Sequence, residues 1–185
     1  MIKAAAAVHN RLPGDPKYLG IATKNWEWFI ISGMINSDNM INDGLDADCG
    51  NNGQTIWTYN QGILLGAAVE LARGDWGRQL PDWAEELADA STVDRAIVIN
   101  GVLTEPCEAN NGTCCNDCPT FKGVYVRNLG ELNAALPGRP YQQFLEKQAA
   151  TVYQQDRTSS DLYGVHWAGR SARSPRPPSR VRSRR

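Results

Sequence analysis

The stretch Thr58-Tyr59-Asn60-Gln61-Gly62-Ile63-Leu64-Leu65-Gly66-Ala67-Ala68-Val69-Glu70-Leu71-Ala72-Arg73-Gly74-Asp75 decides the fold. Ile63, Leu64, Ala67, Ala68 and Leu71 fall on one face of a helix, because their steps follow the helical period. Gly62 and Gly66, one turn apart, leave room for a second helix to come close. Thr58-Tyr59-Asn60-Gln61 reads as a capping box, in which the Thr hydroxyl and the Gln amide satisfy free backbone N–H groups. Gly74-Asp75 ends the helix, and Leu80-Pro81-Asp82-Trp83-Ala84 opens another. Its face is Leu80, Trp83, Ala84, Leu87 and Ala88. A helix, a glycine turn and a second helix make a helical hairpin.

The same mark recurs on both sides. Gly14-Asp15-Pro16-Lys17-Tyr18-Leu19 lies 60 residues before it and Gly138-Arg139-Pro140-Tyr141 lies 64 residues after it. Around the first, Tyr18, Ala22, Trp26, Phe29 and Ile30 form an apolar face. Around the third, Phe121, Val124, Tyr125, Asn128 and Leu132 precede the turn, while Tyr141, Phe144, Leu145 and Val152 follow it. No run of strict alternation is long enough to demand a sheet. The expected architecture is all-α: hairpins in series, with short turns at one end. The long loops, residues 34–57 and 100–120, gather at the other. Asn52-Gly53, Asn100-Gly101 and Asn111-Gly112 mark turns within them.

Composition sets the limits. With 42% apolar residues and six Trp in 185, the chain is globular. Residues 1–169 form one domain, and an Arg/Ser/Pro-rich tail, 170–185, follows. Seven of the 19 basic residues lie in that tail, so the domain sets 12 basic residues against 20 acidic ones. An acidic body argues against nucleic acid as its natural partner. The tail is either a basic arm for anionic partners or a replacement for further hairpins. No apolar run approaches the roughly 18 residues that span a bilayer. Ala4 to Val8 is too short for a signal-peptide core, so no signal peptide is expected in this chain. Cys107, Cys114, Cys115 and Cys118 cluster beside the glycosylation pattern Asn111-Gly112-Thr113, which points to a secreted setting. Cys115-Asn116-Asp117-Cys118 lacks the second pair that a zinc site requires. Disulfides are the favoured reading, with Cys49 a further candidate, and no metal or cofactor is expected. His9 and His166 receive no role.

The first long loop carries the chemistry. Met34-Ile35-Asn36-Ser37-Asp38-Asn39-Met40-Ile41-Asn42-Asp43-Gly44-Leu45-Asp46-Ala47-Asp48-Cys49 continues through Gly50-Asn51-Asn52-Gly53-Gln54-Thr55-Ile56-Trp57. Amides and carboxylates beside an indole suit a sugar, whose hydroxyls pair with Asn and Asp and whose ring faces stack on aromatics. The bland alternative is a loop that bonds its own backbone or holds calcium; the calcium reading lacks regular ligand spacing.

Gly33-Met34-Ile35-Asn36-Ser37, Asn42-Asp43-Gly44-Leu45-Asp46 and Asn51 to Gly62, followed by Gly101 to Glu105 and Phe121 to Leu129, resemble glycoside hydrolase family 76. The likeness runs in order from about residue 4 to Gly169. It implies an (α/α)6 toroid, of which the three hairpins are about half. It also implies hydrolysis of α-1,6-linked mannan, in an extracellular or cell-wall setting for the parent protein. The family relies on two adjacent Asp residues, nucleophile and acid/base, as retaining hydrolysis requires. No two Asp are adjacent in this sequence. The pair is expected upstream of Met1, leaving this chain without catalytic residues of its own. Glu85-Glu86, the only adjacent acids, sit on a solvated helix face. Asp43 and Asp46, three residues apart in the first loop, are the other acids weighed for that role. The resemblance instead places Asn42, Asp43, Asp46, Trp57, Tyr59, Asn60 and Gln61 along a mannan groove, with Lys122 and Arg127 as further candidates. Packing at a helix start competes for Trp57 and Tyr59, and ordinary surface charge competes for Lys122 and Arg127. A non-catalytic mannan-binding or cell-wall protein is the alternative function. Open ends on a half toroid would expose apolar faces, so a marginal, aggregation-prone chain is expected.

Overall fold

A computed structural model describes residues 1–12, 16–74, 82–109 and 114–169. Gly14-Asp15, Asp75, Leu80-Pro81, the glycosylation pattern at Asn111 and the tail 170–185 lie outside the described residues. The helices are α1 (Ile2–Arg11), α2 (Pro16–Ile31), α3 (Thr58–Arg73), α4 (Asp82–Val93), α5 (Pro106–Ala109), α6 (Phe121–Ala135) and α7 (Gln142–Thr151). The pairs α1/α2, α3/α4 and α6/α7 are the three hairpins the sequence predicts. The long loops connect one hairpin to the next.

The helix α3 lies between α1 and α6 and also packs on α4. That position explains its burial, which extends from Thr58 through Leu71 with few gaps. The contact with α6 depends on Gly62: a Cβ there would lie 2.5 Å from the Tyr125 Cα. At Gly66 the space is filled by the Asn128 amide and the Lys3 ammonium. Both glycines therefore serve the close approach expected of them. Leu64, Ala67, Ala68 and Leu71 are buried, as are Ala84, Leu87 and Ala88 of α4. Trp26 of α2 meets Trp83 of α4 with ring centroids 4.6 Å apart, which joins the first two hairpins. The faces are narrower than the pattern suggested, since Ile30 and Ile63 are more than 40% exposed. Trp28 and Ile31 of α2 are exposed, as are Tyr153, Leu162 and Tyr163 beyond α7.

One local expectation fails. The N-cap of α3 is Trp57, which makes no side-chain cap bond. Thr58 directs both its hydroxyl and its N–H to Glu105, and Gln61 turns its amide to Ile41 and Trp57. The long-range partner Glu105 displaces the local box because a buried carboxylate needs donors. A small sheet is also present, β1 (Val98–Ile99) antiparallel to β2 (Val102–Leu103). Asn100 and Gly101, with φ of 54° and 76°, close it as a primed hairpin turn. Strands of two residues are too short for alternation to show. Among the described residues no helix is long and apolar enough to cross a membrane.

Candidate functional site

The first long loop is built from one turn used twice. Asn36 Oδ1 accepts the N–H groups of Asp38 (2.9 Å) and Met40 (3.0 Å), while Asn36 N–H donates to Met40 O at 2.8 Å. Ten residues on, Asp46 Oδ1 accepts those of Asp48 (3.0 Å) and Gly50 (2.9 Å), and Asp46 N–H donates to Gly50 O at 2.8 Å. The fourth residue of each turn, Asn39 or Cys49, takes a positive φ. Bridges Ile35–Ile41 and Leu45–Asn51 close the two units. Such side-chain-to-backbone turns are what Asn and Asp favour in loops. The Asp46 carboxylate thus holds its own loop.

The buried amides hold it too. Asn42 donates to Gln54 O at 2.6 Å and accepts from Asn36. Gln61 has no exposed surface; it accepts the Ile41 N–H at 2.8 Å and donates to Ile41 O and Trp57 O. In this conformation Asn42 ties the loop to itself, Gln61 fastens it to α3, and both offer little to a ligand.

Three rings meet beside this loop. Trp57 lies edge-on to Phe121 with centroids 5.7 Å apart, and Tyr59 lies 4.3 Å from Phe121 at a tilt of 43°. All three are half-buried, and Asn60 beside Tyr59 is half-buried as well. Asp43 is exposed, and its charge reaches the Tyr59 phenol. Burial first, then Asp43, raise the Tyr59 pKa against an opposing hydrogen bond from Asn60, so the hydroxyl stays protonated. Aromatic faces with a neutral hydroxyl, a carboxylate and an amide at their edge are what sugar recognition uses. By sequence Phe121 lies on a helix face and opens the family-like stretch to Leu129, without being a candidate site residue. Its site role comes from the fold bringing the start of α6 to the start of α3.

Beneath the rings runs a buried ionic cluster. Glu105, 1% exposed, accepts the hydroxyl and N–H of Thr58. Glu108 Oε1 accepts the Glu105 N–H at 2.7 Å and the Lys122 ammonium at 2.5 Å. Lys122 also donates to Val165 O and stands 4.9 Å over the Trp167 ring. His166 Nδ1 lies 3.4 Å from Glu108. Burial raises the Glu105 carboxyl against the pull of Thr58 and Lys122, and burial lowers the Lys122 ammonium against the pull of Glu108. Lys122, 1% exposed, is therefore neither a surface charge nor open to a groove. Arg127 is exposed and pairs with Glu131 one turn on, at 3.6 Å. The spacing Glu105-Pro106-Cys107-Glu108 carried a usable signal, since an acid three residues into a helix reaches back to the N-cap N–H.

The cysteines pair as Cys107–Cys114 and Cys115–Cys118, while Cys49 is exposed and free. Cys49 stands in the tight turn of the first loop, with its N–H bonded to Asp46 O. The disulfides stitch the segment that carries α5. With all four cysteines of that segment paired, a zinc site there has no thiolates.

The family model described as Glycosyl hydrolase family 76 matches residues 2–176. A mannan endo-1,6-alpha-mannosidase of Saccharomyces cerevisiae is 27% identical over 137 residues, covering 71% of this chain and 30% of that protein. One of Candida albicans is 25% identical over 132 residues, covering 69% and 29%. Among solved structures, an inactive double Asp-to-Ala variant of an alpha-1,6-mannanase of Salegentibacter sp. HEL1_6, in complex with alpha-1,6-mannotetrose, matches with a TM-score of 0.74. Its identity is 24%, and the match covers 91% of this chain and 50% of that one. A Listeria innocua protein matches with a TM-score of 0.73 at 23% identity, covering 92% and 47%. The chain spans about 30% of the curated relatives and about half of the solved structures it matches. Its hairpins are those of an (α/α)6 toroid, about half of which they supply.

Proposed function

The chain belongs to glycosyl hydrolase family 76, and from that premise we propose that it serves the hydrolysis of α-1,6-mannosidic linkages by holding mannan on the Trp57–Tyr59–Phe121 rim. Asp43 and Asn60 supply polar contacts at the rim's edge. The meeting of the three rings beside an exposed carboxylate carries this reading. Hydrolysis itself requires two carboxylates flanking the scissile bond. Of the acids that act on Tyr59, Glu105 is engaged by Thr58 and Asp43 is exposed, while Asp46 is engaged by its own turn. Binding is therefore the share of the activity assigned to these residues. An oxidising, extracellular setting goes with it, supported by the two disulfides.

The test is calorimetric titration of the chain with α-1,6-mannotetraose, alongside a reducing-end assay on α-1,6-mannan. Measurable binding that Trp57→Ala or Phe121→Ala weakens at least tenfold is expected, with no release of reducing ends. Tetraose binding untouched by both substitutions overturns the rim. Hydrolysis abolished by Asp43→Asn or Asp46→Asn would move the catalytic acids into the first loop.

A further inference from the structure

The aromatic rim has an internal frame, and its connections follow a simple alternation. Trp57 and Tyr59 flank Thr58, and Phe121 precedes Lys122. The outer residues of each segment meet at the rim. The inner ones, Thr58 and Lys122, point into the buried cluster, where both are essentially unexposed. Between them stands α5, a single helical turn. Its N-cap residue Glu105 holds Thr58, and its Glu108 holds both the Glu105 N–H and Lys122. The two segments that carry the rim are thus joined through one pair of carboxylates.

We infer that Glu105 is a positioning residue for the rim: by fixing Thr58, it sets Trp57 and Tyr59 against Phe121 and so determines the affinity for an α-1,6-linked mannooligosaccharide. The inference rests on the functional reading above, but the frame can be examined without a ligand. A carboxylate suits the task because its two oxygens accept from the Thr58 hydroxyl and N–H together, one each, and carry no proton that would compete. Rings held in place before the sugar arrives lose less conformational freedom on binding. Glu108 keeps Glu105 in place, and the Cys107–Cys114 disulfide anchors the helix that carries Glu108.

The experiment uses the full chain with Glu105→Leu, Thr58→Val and the conservative Glu105→Gln. Two readouts are taken: ring-to-ring nuclear Overhauser contacts of Tyr59 with Phe121, and the dissociation constant for α-1,6-mannotetraose. Circular dichroism restricts the comparison to folded variants. Loss of the contacts and at least tenfold weaker binding are expected in Glu105→Leu and Thr58→Val. In Glu105→Gln, which keeps one acceptor oxygen, the contacts should persist and affinity should stay within about threefold. Contacts preserved in both Glu105→Leu and Thr58→Val overturn the inference, whatever the binding result. Should Glu105→Leu fail to fold, the Thr58→Val result decides. Failure of the unsubstituted chain to bind the tetraose refutes the functional reading instead, and the ring contacts then judge the positioning role by themselves.

Discussion

Replacing Gly62 with alanine tests the packing on which the fold turns. The added Cβ would lie 2.5 Å from Tyr125 Cα, 3.1 Å from Tyr125 N and 3.2 Å from Val124 O. These are backbone atoms of α6, so no side chain can swing aside. Carbon atoms rest at about 3.5–4.0 Å, so the helices must part by about 1 Å. Overpacking of this kind costs about 1–3 kcal/mol. The shift also strains the bond between the fully buried Tyr125 hydroxyl and Ser91, 2.8 Å apart, and a buried polar group left unpaired costs about 1–3 kcal/mol. Alanine's greater helix propensity offsets about 1 kcal/mol. The net expectation is a loss of about 1–5 kcal/mol. At about 2–4 °C per kcal/mol for this chain length, that lowers the melting temperature by about 2–20 °C. Gly20→Ala in α2 is the control, because a Cβ there meets nothing within 4 Å, and it should gain about 0.5–1 kcal/mol. Thermal unfolding followed by circular dichroism measures both. A Gly62→Ala protein melting at or above the unsubstituted chain would refute the reasoning.

Three further outcomes follow from buried contacts. Glu70, 3% exposed, accepts from Asn10 at 2.9 Å and pairs with Arg73 at 2.9 Å and Arg11 at 3.4 Å. Burial alone would raise its carboxyl, but these partners hold it below the ordinary 4.5. Its stabilisation is therefore present above that value and lost as pH falls through the folded pKa. Glu70→Gln should be less stable than the unsubstituted chain at about pH 7, with the gap closing towards about pH 3; urea melts yielding an equal gap at both pH values would contradict this. Gln148→Leu removes the acceptor of the buried Leu103 N–H and the donor to Gly101 O, so a loss of about 1–3 kcal/mol is expected in chemical denaturation. Gly101→Ala forces a side chain onto a φ of +76°, where the Lys147 chain already lies. It should cost more than about 1 kcal/mol, with faster amide exchange across β1 and β2.

The hairpins were legible because helical period and glycine turns are local signals. Ala84, Leu87 and Ala88 needed only their own spacing to be placed inside. Partners distant in sequence were not legible. Thr58 and Gln61 had the form of a local cap, yet Glu105, 47 residues away, and Ile41, 20 residues away, engaged them instead. Lys122 had the spelling of a surface charge, and only the convergence of Glu108, Val165 and Trp167 shows why burial is tolerated there. Asp46 shows the opposite failure: the acids and amides of the first loop suggested a ligand, while several of them serve its turns. The rings of Trp57 and Tyr59 were found from sequence, but Phe121 as their partner required the packing of α6 on α3.

The doubled turn of the first loop also bears on how such a chain can change length. Residues 36–40 and 46–50 bond themselves in the same way, and each unit closes on its own bridge. The units are alike inside but not outside. Only the first is clasped by α3, where Gln61 bonds both the N–H and the O of Ile41; the second reaches back through Asn51 to Gly33 and Met34. Loss of either would strip partners from a neighbour, so deletion of ten residues here is a change to the whole loop and not the removal of a spare part.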